Sequence, residues 1–324
     1  MSDTPPGCED AARQLAAYIR EHDVPFARGV LEEFFLRVLA VVRGLRVCDV
    51  PDHHEDRSLF AKGLFVLWAV VVDDALDRDA DRTQLDGSTR WLSTQMHGGR
   101  METPPTVAES ILADAFESLE GRVDPAALQV LRFDMWEQVY GLHYEALIGA
   151  TPALATTREY GRYSVLVASI KIYVDVDLAL SGHALAGADY RRARAVCDEL
   201  ACAIKSASDI GTLGREIAEG SPNVVALRLR DAGFAVSDVD RDGSDARAAL
   251  RQVIRATEVE AWHRLAQVRH GLSLPRDEAL ARLVNTVEGV VRAYCAGDPF
   301  VADGTSEPDS AKKVGTLCAD VRTA

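Results

Sequence analysis

Six oxygen-bearing side chains fall into two short runs whose spacing suits divalent cations. In LFVLWAVVVDDALDRDAD, Asp73 and Asp77 stand four residues apart with Asp74 beside the first. On a helix they share one face, a turn apart. Two carboxylates at that distance repel each other, and the negative end of the helix dipole adds to the repulsion. Such a pair suits a hard cation bound through oxygen, and magnesium fits best where a substrate diphosphate completes its shell. A solvated acidic helix end is the other reading, because Arg78, Asp79, Asp81 and Arg82 continue the run with both signs. The apolar residues ahead of Asp73 favour the cation site, since they set the acids at the mouth of a core. In SDIGTLGRE, Ser208, Thr212 and Glu216 stand at i, i+4 and i+8, so their oxygens line one helical stripe that one metal could bridge. Arg215, beside Glu216, could donate to a phosphate oxygen held by that metal. Alone, this run reads better as the polar face of an ordinary amphipathic helix, and the first motif beside it reverses that balance.

The elements that must hold these residues are helices. Apolar residues recur at three-and-four spacing along nearly every long segment, and no alternating β-branched run bounded by turn residues occurs. The fold expected is all-α. The pattern predicts helices over 9–21, 28–47, 58–76, 105–120, 125–148, 157–181, 189–219, 222–232, 245–270 and 276–295. Gly87, Gly98 and Gly99 within a charged stretch predict a loop or short helices over 78–99, and SDVDRDG predicts an acidic turn over 236–244. No internal repeat and no Pro/Gly/Ser linker divides the chain. One helical domain over 1–302, followed by a disordered polar tail over 303–324, is the simplest organisation.

Composition narrows the function classes. A formal charge of −14, from 50 acidic and 36 basic residues, argues against a nucleic-acid or anionic-membrane surface. An anionic substrate must then be held locally, by metals or a few placed cations. Six cysteines without CxxC or finger spacing read as reduced thiols. With no signal-type leader and no stretch of roughly 18 apolar residues, the expectation is a cytoplasmic protein without stable membrane insertion, a homodimer being the commonest oligomer if it assembles.

Taken together, the two runs resemble the metal motifs of class I terpene synthases of microbial type: DDxxD at Asp73 to Asp77, and the N-D-x-x-S/T-x-x-x-E pattern as Ser208, Asp209, Thr212 and Glu216. The resemblance implies a single antiparallel helical bundle of the class I isoprenoid synthase type, with both motifs at the mouth of an apolar pocket. It also implies three magnesium ions around an isoprenoid diphosphate substrate. Arg162, 46 residues before Ser208, occupies the place where the family often carries a diphosphate-sensing arginine. The implied reaction is ionisation of the diphosphate, with Arg162 and Arg215 and the cations taking up its charge, and cyclisation of the carbocation in a dry pocket. Phe65 and Trp68, and the stripe Phe133, Trp136, Tyr140 and Tyr144, are candidates for its wall, although a stripe at helical spacing also reads as plain core.

Three departures matter. Ser208 is a shorter, neutral ligand where Asn or Asp is usual. Only Arg292 and Tyr294 stand near the place of the family's Arg-Tyr clamp, out of its pattern. The residues one turn before Asp73, often aromatic in cyclases of small linear substrates, are Ala69 and Val70. With aromatics at only 6% of the chain, this leans towards a C20 geranylgeranyl or bicyclic labdane/copalyl-type diphosphate, farnesyl diphosphate being the alternative. Chain-elongating and head-to-head prenyl transferases fit less well, because each needs a second Asp-rich motif. A non-catalytic helical binding protein with a degenerate site is the reading from another class.

Overall fold

The computed structural model describes residues 7–26, 29–79, 81–97, 106–121, 123–182, 187–240, 244–273 and 276–296. Among them the regular structure is helical: α1 Cys8–Glu21, α2 Leu31–Gly44, α3 Asp52–Asp79, α4 Thr83–Met96, α5 Val107–Glu117, α6 Pro125–Ala150, α7 Thr157–Tyr163, α8 Ile170–Ser181, α9 Gly187–Gly211, α10 Leu213–Glu219, α11 Val224–Asp231, α12 Val236–Asp240, α13 Ser244–His270 and α14 Glu278–Ala296. The all-α expectation holds. No described helix is long and apolar enough to cross a membrane, and the described cysteines form no disulfide with one another. The tail expected over 303–324, like Gly98 and Gly99 and the start of the helix expected over 105–120, lies outside the described residues.

The chain packs as two compact units. The first comprises Met1–Tyr140, Ser169–Asp198 and Leu272–Thr286, and the second Gly141–Ala168, Glu199–Gly271 and Val287–Ala324. In the first, α3 packs against α1, α2, α4, α5 and α8. Surrounded in this way, it is buried along most of its length from Leu59 to Val72. A helix apolar on all sides belongs in the centre of a core. The fully buried Lys62 crosses from α3 to α8, where its Nζ donates to Asp177 Oδ2 at 2.7 Å and to the Val42 carbonyl at 3.0 Å. Arg46 stands 3.4 Å from the same carboxylate, and Ser58 Oγ donates to it. The second unit has its own core, built by Ile210 and Leu213, Val225 and Leu229 of α11, and Leu250 and Ile254 of α13.

Three segments outside the second motif differ from expectation. The stretch expected to be a loop or short helices over 78–99 contains the 14-residue α4. Leu85, Trp91 and Leu92 turn one face of it into core. Gly87 lets α4 approach α5 closely: a Cβ there would meet Thr106 Oγ1 at 2.6 Å and Glu109 Oε2 at 3.0 Å. The helix expected over 157–181 is broken by a 3-10 turn at Ser164–Ala168 and by Ser169, whose φ of 58° is a left-handed value that interrupts the helical path. The acidic turn over 236–244 includes the short α12.

Candidate functional site

The first motif sits at the C-terminal end of α3. Val70, Val71 and Val72 are buried, whereas Asp73, Asp74 and Asp77 are half-buried. Ala69, Asp73 and Asp77 repeat every four residues and are all partly exposed, so they form a stripe on which α3 is incompletely covered. The helix is unbroken through the motif, and the one-turn spacing of the carboxylates is therefore kept.

Aromatic residues expected to wall a pocket have other uses on the same helix. Phe65 packs edge-on against Phe116, with ring centroids 5.5 Å apart. Trp68 is buried and its Nε1 donates to Ser88 Oγ at 2.9 Å. Both rings thus fasten α3 to α5 and α4. The reason is local: a buried indole needs an acceptor, and Ser88 supplies one. On α6, Trp136 and Tyr144 are half-buried, while Phe133 and Tyr140 are about half exposed, at 48% and 53%. The Tyr144 ring lies 4.9 Å from that of Tyr163. Arg162 is exposed at the end of α7, its guanidinium 5.4 Å from the Tyr163 ring.

The second motif spans a helix break. The helix expected over 189–219 divides at Thr212, with φ −98° and ψ 2°, into α9 and α10. Backbone hydrogen bonds nevertheless carry on across the break, from Thr212 N–H to Ser208 O at 2.8 Å and from Glu216 N–H to Thr212 O at 3.0 Å. Ser208, Thr212 and Glu216 thereby keep their four-residue register. Tyr294 of α14 lies against the break, for a Cβ on Gly211 would meet its Cδ1 at 2.8 Å. Arg292 turns instead to Glu288 at 2.9 Å and the Trp262 ring at 5.5 Å.

The donor set fits a hard cation. Thr212 Oγ1 donates its proton to the Ser208 carbonyl at 2.8 Å, so its remaining capacity is as an acceptor. Glu216 is 8% exposed, and burial pushes its carboxyl up to about 8, against the pull of nearby Lys205 and with Asp209 adding to the rise. A cation at this carboxylate would supply the positive charge that desolvation makes necessary. Arg215 is paired with Glu219 at 3.1 Å and lies 3.8 Å from Glu216 Oε1. Among the described residues no three His, Cys, Asp or Glu side chains gather to hold a metal. Asp73, Asp74 and Asp77 are therefore not gathered into a three-carboxylate site in this structure, and in the second motif two of the three candidate donors are hydroxyls.

Behind the motif lies a network that spacing did not reveal. Asp209 is fully buried; its Oδ1 accepts from Lys205 Nζ at 3.0 Å and its Oδ2 from the Val224 N–H at 2.9 Å. Lys205 also pairs with Glu145 at 3.2 Å. The Tyr160 hydroxyl reaches Asp209 Oδ1 at 3.3 Å and the Pro222 carbonyl at 3.1 Å. Asn223 caps α11 by accepting from the Val225 and Ala226 N–H groups, and its Nδ2 donates to Asp209 O at 2.7 Å and to Glu216 Oε2 at 2.6 Å. The one signal available in the sequence was an N-cap residue, Asn223, ahead of the apolar VVALRL run.

Known structures share this architecture. The 2-methylisoborneol synthase of Streptomyces coelicolor A3(2), in complex with Mg2+ and geranyl-S-thiolodiphosphate, matches with a TM-score of 0.68 at 13% identity, over 95% of this chain and 96% of its own. Linalool/nerolidol synthase of Streptomyces clavuligerus, in complex with 2-fluorogeranyl diphosphate, gives 0.64 at 11% identity, over 90% and 98%. Germacradien-4-ol synthase of Streptomyces citricolor gives 0.63 at 14% identity, over 90% and 93%. At such identities the likeness shows the fold, that of the helical class I isoprenoid synthases. Neither a protein-family model nor a curated protein sequence matches the chain.

Proposed function

We propose that this chain is a magnesium-dependent terpene synthase, a lyase that ionises an isoprenoid diphosphate and cyclises or rearranges the resulting carbocation. The carrying observation is the state of the second motif. Ser208, Thr212 and Glu216 stay in register across a helix break, with the Thr212 proton committed to a backbone carbonyl and the Glu216 carboxylate buried and fixed. The fold shared with 2-methylisoborneol and linalool/nerolidol synthases, which were solved with diphosphate analogues, supports the same reading.

In this proposal Asp73, Asp74 and Asp77 hold magnesium at one motif and Ser208, Thr212 and Glu216 at the other, three ions in all. Bound there, magnesium would neutralise charge on the diphosphate as the allylic carbon–oxygen bond breaks. Arg162 and Arg215 donate to the diphosphate oxygens, Arg215 exchanging its bond to Glu219 for one to substrate. Ala69 and Val70 occupy little volume one turn before the first motif. Together with Trp136 and Tyr140 as wall residues, they lead us to favour a C20 diphosphate over farnesyl diphosphate.

Incubating the protein with magnesium and, separately, geranyl, farnesyl, geranylgeranyl and copalyl diphosphates tests this, with released diphosphate and extracted hydrocarbon or alcohol as readouts. Turnover of one substrate that chelation abolishes is the expected result. Four inert substrates with a folded protein would favour a binding protein instead. A preference for farnesyl over the two C20 substrates would refute the chain-length assignment alone.

A further inference from the structure

We infer that Asn223 is the positioning residue of the second motif, aiming the Glu216 carboxylate at a divalent cation while its other face caps α11. The inference rests on the proposed role of Glu216 as a metal ligand. Asn223 is 1% exposed, and its amide is fully used. Its Oδ1 accepts from Val225 N–H at 2.8 Å and Ala226 N–H at 3.4 Å, while its Nδ2 donates to Asp209 O at 2.7 Å and Glu216 Oε2 at 2.6 Å. These two sides separate two tasks. Any short oxygen-bearing side chain can cap a helix, including Ser, Thr and Asp. The Asn223 amide does both with separate atoms, Oδ1 accepting from the cap N–H groups and Nδ2 donating to the carboxylate. The donated bond fixes Glu216 Oε2 and leaves Oε1 on the side of Arg215, at 3.8 Å.

The surroundings explain why such a tether is needed. Glu216 sits beside buried Asp209, and Lys205, which is drawn to both Asp209 and Glu145, does not hold Glu216 in a fixed direction. A buried carboxylate ligand left to rotate would meet a cation in several orientations. A partner that orients a metal ligand from behind typically changes metal affinity about 10–100-fold when it is removed. The neutral, short Ser208 gives this motif little ligand strength to spare, so its affinity should depend heavily on the aim of Glu216.

The experiment compares the full chain with Asn223→Ser, Glu216→Gln and the double variant, by Mn2+ titration in the presence of inorganic diphosphate, with melting temperatures alongside. Asn223→Ser should keep the cap and most of the melting temperature, and weaken Mn2+ binding about 10-fold. Added to Glu216→Gln it should cause no further loss, since the two residues act as one unit. Unchanged Mn2+ affinity in Asn223→Ser, with affinity lost in Glu216→Gln, would show that Asn223 is only a cap. Additive losses in the double variant would also overturn the inference. Wild-type affinity in Glu216→Gln would instead refute the metal-ligand role beneath it. Should Asn223→Ser fail to fold, Asn223→Thr provides the same cap without the amide and must show the same weakening.

Discussion

The two motifs sit in different local structures. Asp73, Asp74 and Asp77 ride on an unbroken helix that is also tied down ahead of them: the Lys62–Asp177 link is 11 residues ahead of Asp73, and Trp68 is tied to Ser88 five residues ahead. Glu216 follows a helix break and is fastened at the motif itself, by Asn223, which also holds the Asp209 carbonyl. The first motif keeps its one-turn spacing on a continuous helix, although among the described residues no three carboxylates gather to hold a metal. The second combines neutral hydroxyls with a single carboxylate, so its geometry depends on tertiary hydrogen bonds.

The contrast can be tested by separating support from chemistry. The largest effect should come from Lys62→Met, which leaves Asp177 buried without its principal cation. Stability should fall by about 3–5 kcal/mol in urea unfolding, while the Mn2+ affinity of the folded fraction stays near that of the wild type. A parallel loss of affinity would mean that the first motif is not independent of its distant fastening. Next, Asp73→Ala should lower diphosphate release at least about 100-fold, the range for removing one electrostatic stabiliser, with little change in melting temperature.

This asymmetry also decided what could be read from the sequence. The spacing of Asp73 and Asp77 within an apolar run gave the first motif and its helix nearly whole. The second motif's stripe was equally legible, yet the break at Thr212 was not read from it, although Gly211 and Gly214 flank the site; the φ of −98° arises in a tertiary setting where Tyr294 lies against Gly211. Ser169 breaks a helix without proline or glycine at the site. Gly87 misled in the other direction: it looked like a helix breaker and is a packing residue, required by the approach of Thr106. Phe65 and Trp68 were legible as apolar, but not as bound to Phe116 and Ser88, since a helical period gives a face and not its partner. Asp209 was legible as a motif position but not as a buried partner, and Asn223 and Lys205 escaped notice because Asn223 meets Asp209 and Glu216, and Lys205 meets Glu145, from other segments of the chain.

Two smaller effects sharpen the comparison. Thr212→Val preserves shape and removes the hydroxyl, so Mn2+ affinity should fall about 10-fold; the same change in affinity on replacing Ser88, away from the motif, would contradict the assignment. The smallest effect concerns support of the first unit. Burial alone would raise the Glu55 carboxyl, but hydrogen bonds from Arg43 and Arg46 outweigh it and hold the group below its ordinary 4.5. Its stabilising contribution is therefore complete above pH 4.5 and is lost as pH falls through the depressed value. Glu55→Gln should be less stable near neutrality and flatter in acid, as measured by melting temperature from pH 7 to 3, whereas a slope parallel to the wild type would remove Glu55 from the acid response.

The most direct test of the account is a crystal structure grown with Mn2+ and an unreactive isoprenoid diphosphate analogue, read by anomalous scattering. Peaks within coordination distance of Asp73 or Asp77 and of Thr212 and Glu216 are the predicted result. Anomalous density at neither motif, with the analogue bound elsewhere or absent, would contradict the central claim that these two motifs are the metal sites of a diphosphate-ionising enzyme.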